Sequence, residues 1–338
     1  MKRSSFIKNT TLAATGLLLH PFAKRAPFDV PASSMLPLES TGRRIGVVGL
    51  DSSHGMAFSK LINQAESNAY HGYKVIAAYP YGSTAILGNS EKIKTFTREA
   101  SAFGLRICTS LEELLSQVDC VLLETTDGRM HYQQAEAVFK AGKPVFIDKP
   151  LGANFEQVKS LYKLADHYGI RFFSASALRY IAAIEQLNRD AKGAATRIIG
   201  AETFSPCTTQ PAHDDLYWYG IHGVEMLYAV MGTGCKAVRA VHTGGTDLAT
   251  GLWEGGRIGT FRGTRTGVNA FGGIVFTEKA NVILGDFDGY EKLVSHIIRF
   301  FETGVLPVAE KETKEIYAFM SAFQLSKTTA DWVPLEKV

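Results

Sequence analysis

Cysteine is scarce in this chain and shows no ligand spacing. Cys108, Cys120, Cys207 and Cys235 form no Cys-x-x-Cys pair, which removes zinc-ribbon and dithiol-redox readings. Cys120 sits inside the apolar run "DCVLLETT" and is expected as a small buried hydrophobe. An excess of one charge is also missing. The 36 basic and 33 acidic residues are interspersed and sum to +3, so no nucleic-acid partner is expected. Beyond the N-terminus no apolar run is long enough to span a bilayer, and repeats and low-complexity tracts are absent.

What remains is a chain of 338 residues, 46% hydrophobic, long enough for two cores. Its first residues, "MKRSSFIKNTTLAATGLLLHPFAKRA", put Lys2, Arg3 and Lys8 before a short apolar stretch from Thr10 to Leu19. That is the layout of an export signal, and "KRSSFIK" resembles a twin-arginine signal lacking its second arginine. Residues 20–42, with Pro21, Pro27, Pro31 and Pro37, read as a linker. An exported, periplasmic protein is the expectation.

From Arg44 the runs "RIGVVG", "KVIAAY", "LRIC", "CVLLET", "PVFI" and "IRFFSA" alternate with helical patterns. Ser110 to Glu113 forms a capping box, Asn154 is a cap, and Gly142 and Gly169 end helices. Alternation of this kind predicts a Rossmann-like, doubly wound parallel sheet over residues 43–175. Residues 176–338 change rhythm: a helix around "LYWYGIHGVEMLYAVMG", then hairpin-like runs with "EGG" as a tight turn, then two helices. They predict an α+β domain with a large, mostly antiparallel sheet.

The first strand ends in "GVVGLDSSHG", a phosphate-binding turn with two glycines replaced. Gly49 fits the tight-turn position, Asp51 stands at the second glycine and His54 at the third. A carboxylate pointing inward would repel pyrophosphate; pointing outward, it would cap the helix beginning near Ser53. Ser52, Ser53 and the helix N-terminus still offer donors to an anion. The second strand ends in Tyr79-Pro80-Tyr81-Gly82, with no carboxylate for a ribose and no arginine for a 2′-phosphate.

"VFIDKPLG" preceded by "AGKP", then "YGIHGVEMLYAVMG", then "HIIRFFETGVLPV" with "ETKEIYAFMSAFQLSK", carry a family resemblance. In this order they resemble the glucose–fructose oxidoreductase, inositol dehydrogenase and rhizopine-catabolism (GFO/IDH/MocA) family over residues 43–338. The resemblance implies a sugar or cyclitol hydroxyl, NAD or NADP, and a homodimer or homotetramer formed through the open face of the second sheet. It assigns Lys149 of Asp148-Lys149-Pro150, with a cis proline, and His222 as catalytic residues. Arg179 of "ALRY" corresponds to a substrate-side arginine, while the family's aspartate four residues before the histidine is Trp218 here.

With those matches, Gly49, Asp51, Ser52, Ser53, His54, Thr126, His131, Asp148, Lys149 and Pro150 are the cofactor-side candidates. His131 opens a helix, where capping and packing compete with cofactor contact. Arg179, His213, Asp214, Trp218, Tyr219 and Glu225 are the substrate-side candidates. Trp218, His222 and Glu225 fall at i, i+4 and i+7 and so form one stripe on a helix, and an aromatic face beside imidazole and carboxylate suits a sugar. His213, Asp214 and Asp215 are too close together to supply a full metal set, so no metal is expected. The expected activity is NAD(P)-dependent oxidation or reduction at a sugar-like hydroxyl. The alternatives are a non-redox carbohydrate-binding or scaffold protein, and a cofactor-assisted eliminase or hydrolase.

Overall fold

The computed structural model describes residues 42–66, 69–192 and 197–337. The expected export signal and nearly all of its linker lie outside the described residues. The first half alternates β1 (Arg44–Val48), α1 (His54–Gln64), β2 (Lys74–Tyr79), α2 (Asn89–Ala102), β3 (Arg106–Ile107) and α3 (Leu111–Leu115). It continues through β4 (Cys120–Leu123), α4 (Gly128–Lys140), β5 (Val145–Ile147), α5 (Phe155–Tyr168) and β6 (Phe172–Phe173). The strands form one parallel sheet in the order β3-β2-β1-β4-β5-β6. Every residue of β4 and β5 is buried, because helices cover both faces; this is why those strands read as continuous apolar runs.

Local signals largely hold. Ser110 accepts the Glu113 N–H at 3.1 Å, but Glu113 reaches back to Thr109 N–H and hydroxyl rather than to Ser110. Asn154 accepts from Gln157 N–H at 3.0 Å, and Gly169 closes α5 in the left-handed region. These caps fix where each helix leaves the sheet edge.

A 3-10 turn over Ala177–Tyr180 leads into the second half: α6 (Ala182–Lys192), β7 (Ile198–Pro206), α7 (Asp215–Trp218), α8 (Ile221–Met231), β8 (Cys235–His242), β9 (Thr246–Trp253) and β10 (Ile258–Thr264). Then come β11 (Gly272–Thr277), β12 (Asn281–Leu284), α9 (Glu291–Thr303), α10 (Glu310–Thr329) and β13 (Val333–Pro334). Seven strands pair in the order β12-β11-β7-β10-β9-β8-β13, antiparallel except for β7 with β10. The "EGG" turn joins β9 to β10 with Gly255 at φ 74° and Gly256 at φ 75°, values that a side chain would disfavour.

Two features differ from the sequence reading. The expected long helix is broken at Tyr219–Gly220, so Trp218 ends α7 and His222 is the second residue of α8. And α9 returns to the first sheet: Leu293, Ile297, Phe300 and Phe301 share one core with Ile45, Phe58, Phe146 and Phe173. Burying that apolar stripe ties α9 to the parallel sheet.

Candidate active site

A cavity of about 480 Å³ opens at the C-terminal edge of the parallel sheet, where doubly wound sheets bind ligands. Its walls come from the β1–α1 loop, the end of β5, the α7–α8 break and the start of α9. Trp218, Tyr219, Phe271, Phe287 and Tyr290 give it an aromatic lining.

β5 ends in Asp148, followed by the cis peptide Lys149–Pro150, and all three residues face the cavity. The Lys149 ammonium lies 6.0 Å from the Tyr219 ring centroid. Across the cavity His222 sits at the start of α8, its Nδ1 2.7 Å from Ser176 Oγ. Burial, then the positive charges of Lys149 and His54, hold His222 well below the ordinary imidazole range. A neutral imidazole can accept a proton.

The β1–α1 loop resolves the question of Asp51. It is completely buried and does not line the cavity. Its carboxylate accepts from Ser83 N–H at 3.0 Å, Asn89 Nδ2 at 3.1 Å, Thr126 N–H at 3.0 Å and Thr126 hydroxyl at 3.0 Å. Asp51 therefore neither projects charge at a phosphate nor caps α1. It ties together the loops after β1, β2 and β4, while burial pushes its carboxyl up against those bonds. Gly49, at φ 92°, makes the tight turn: a Cβ there would stand 2.6 Å from Thr125 N.

With Asp51 withdrawn, the cavity side of the loop suits a dinucleotide's phosphates. Ser53 is exposed at the start of α1, with no side-chain cap bond to its helix. Lys92 of α2 reaches the same cavity and has no ion-pair partner among the described residues. Ser52 and Thr126 also line the cavity, with hydroxyls that hold the loop together.

Several expected residues stand elsewhere. Arg179, expected on the substrate, is buried with its guanidinium on Glu225 at 2.8 Å and on Glu312. Glu225 thus neutralises Arg179 behind the pocket, because an unpaired guanidinium there would be costly. His131 is buried with Nε2 2.8 Å from Thr125 O and Nδ1 3.3 Å from Leu151 O, so it braces two loops. His213 accepts Gly128 N–H at 3.2 Å and packs against Trp218 from outside the cavity. Asp214 precedes α7 without capping it through its side chain and does not line the cavity.

His54, Asp148 and Glu124 meet at the cavity floor. His54 Nδ1 is 2.7 Å from Asp148 Oδ2. Burial raises Asp148, but the His54 and Lys149 charges outweigh it and hold its carboxyl at about 2. Glu124, fully buried just past β4, is pushed well above the carboxylate range by burial and by Asp148. Lys92, Glu124, Ser176, Phe271 and Tyr290 were not legible as site residues. The one visible signal was a glutamate closing the apolar run "CVLLE".

Residues 43–176 match the family model described as an oxidoreductase family with an NAD-binding Rossmann fold, GFO/IDH/MocA. No curated protein matches the sequence. Among solved structures, the apo scyllo-inositol dehydrogenase from Lactobacillus casei is similar at TM-score 0.70 and 13% identity, covering 88% of this chain and 99% of that one. The WlbA dehydrogenase from Bordetella pertussis, solved with NADH and UDP-GlcNAcA, is similar at TM-score 0.64 and 19% identity, covering 86% and 98%. An oxidoreductase from Thermotoga maritima gives TM-score 0.67 at 16% identity, covering 87% and 98%. At these identities the likeness is one of fold. Residues 43–176 thus carry the likeness to the GFO/IDH/MocA oxidoreductase family and its NAD-binding Rossmann fold.

Proposed function

We propose that this protein oxidises or reduces a hydroxyl or keto group on a sugar, cyclitol or sugar derivative with NAD or NADP. The observation that carries the reading is convergence: Lys149 from the parallel sheet and His222 from α8 open onto one aromatic-walled cavity. Aromatic faces cover the C–H surface of a sugar ring. A bound nicotinamide supplies the hydride chemistry. Ser53 and Lys92 would hold its phosphates. His222 takes the hydroxyl proton, with Ser176 orienting its ring, and the Lys149 ammonium holds the same oxygen as negative charge develops.

Export rests on the sequence of residues 1–42 alone. Self-association rests on the open face of the second sheet, where Phe204, Leu252, Ile258, Ile274 and Ile283 are exposed together on paired strands.

The test is steady-state kinetics on a sugar or cyclitol found by screening. Lys149→Ala and His222→Ala should each lower kcat about 10²–10⁴-fold. Trp218→Ala should raise KM more than it lowers kcat, because its face serves ground and transition state alike. Near wild-type turnover in both of the first two variants would sink the mechanism. Sugar binding lost in Trp218→Ala, with no nicotinamide signal from any substrate, would favour a carbohydrate-binding protein.

A further inference from the structure

We propose that His54, Glu124 and Asp148 form a binding site for one divalent first-row metal ion, Mn²⁺ or Zn²⁺, at the cavity floor. Residues 54 and 148 are 94 positions apart, so no ligand spacing shows in the sequence. The topology brings the set together. His54 is the first residue of α1, Glu124 directly follows β4, and Asp148 directly follows β5. β1, β4 and β5 are neighbours in the sheet, so all three residues leave the same edge side by side.

The geometry suits an ion. One ligand atom from each residue lies within 4.8 Å of the others, and His54 Nδ1 is already 2.7 Å from Asp148 Oδ2. Metal–ligand bonds of about 2.0–2.2 Å span ligand pairs of roughly 3–4 Å, so closure needs shifts of up to about 1 Å.

A second observation points to a ligand. Glu124 is fully buried, and neither of its carboxylate oxygens has a hydrogen-bond partner among the described residues. Lys149, whose charge acts on Glu124, makes no hydrogen bond to it. A carboxylate beside a second carboxylate and without donors is costly inside a protein. A cation would occupy both oxygens, and two carboxylates with a neutral imidazole would balance its charge.

The surroundings hold the ligands in place. Ser52 hydroxyl donates to Glu124 O at 3.1 Å and accepts His54 N–H at 3.2 Å, locking the two backbones together. The His54 ring stacks on Phe58 at 5.6 Å and meets the Tyr290 edge at 5.1 Å. Supporting contacts of this kind orient metal ligands. One nitrogen and two carboxylates suit a mixed-preference ion such as Mn²⁺ or Zn²⁺ and are too few oxygens for Ca²⁺. His54 and Asp148 line the cavity, so the open coordination positions face the place where a substrate oxygen would enter.

The test is calorimetric titration of the chelator-stripped full chain with Mn²⁺ and, separately, Zn²⁺. It uses neither sugar nor dinucleotide, so its outcome is independent of the redox reading. One ion per chain is expected, weakened at least about tenfold by Glu124→Gln and by His54→Gln. Absence of saturable binding, or equal binding in both variants, overturns the site. Should either variant fail to fold, pulsed electron paramagnetic resonance on wild-type protein with Mn²⁺ decides. A single imidazole nitrogen coupling is expected, and its absence overturns the proposal.

Discussion

Asp51 shows what a single residue does when it breaks a pattern. Its neighbours in sequence mark it as the wrong residue in a phosphate turn, but its hydrogen-bond partners lie 32 to 75 positions away. The departure was therefore legible and its direction was not. Because four donors converge on its carboxylate, Asp51→Gly should leave the buried N–H groups of Ser83 and Thr126 unpaired. The expected loss is about 3 kcal/mol of stability, read by chemical denaturation. Dinucleotide affinity, followed by calorimetry, should weaken as the three loops loosen. Tighter binding in the variant would show that the carboxylate opposes the cofactor after all.

At the scale of elements, the parallel sheet was read almost strand for strand, since buried strands and capped helices leave strong local signatures. The break between α7 and α8 was not. "WYGIHG" keeps helical periodicity on both sides, and the bonds from His222 N–H to Tyr219 O at 3.2 Å and from Gly223 N–H to Gly220 O at 3.1 Å reveal the tight turn between them. That turn lets Trp218 and His222 both face the cavity without sharing a stripe. The second glycine has its own task. A Cβ on Gly223 would stand 2.2 Å from Phe261 Cε2, so its absence lets α8 lie against β10. Gly223→Ala should cost about 1–3 kcal/mol by overpacking. It should also lower kcat, because the shift moves His222 relative to Lys149. Thermal unfolding and kinetics on the same preparation check both; an unchanged melting point would mean that α8 has room to spare.

For the whole molecule, acid response follows from what folding buries. Burial holds His131, His213, His222 and His296 below the ordinary imidazole range. Burial pushes Asp51, Glu124 and Glu225 the other way, Glu225 to about 7. The two groups oppose each other as pH falls, so wild-type protein alone cannot apportion them, whereas one histidine variant can. His213 is the best choice: it is buried outside the cavity, Nδ1 has no hydrogen-bond partner among the described residues, and its pKa falls to about 4 through burial, despite the pull of Asp127. Between pH 6.5 and 4 the unfolded chain binds a proton there and the folded chain does not. Stability from this residue is thus complete above 6.5 and declines as pH falls toward 4. In His213→Gln the amide oxygen can still accept the Gly128 N–H, but nothing titrates. Stability curves at pH 7 and pH 5 should show wild type losing about 2 kcal/mol more than the variant. Asp127, held at about 2, contributes only at lower pH and does not enter this window. Equal losses in the two proteins would mean that His213 takes up its proton without leaving the fold.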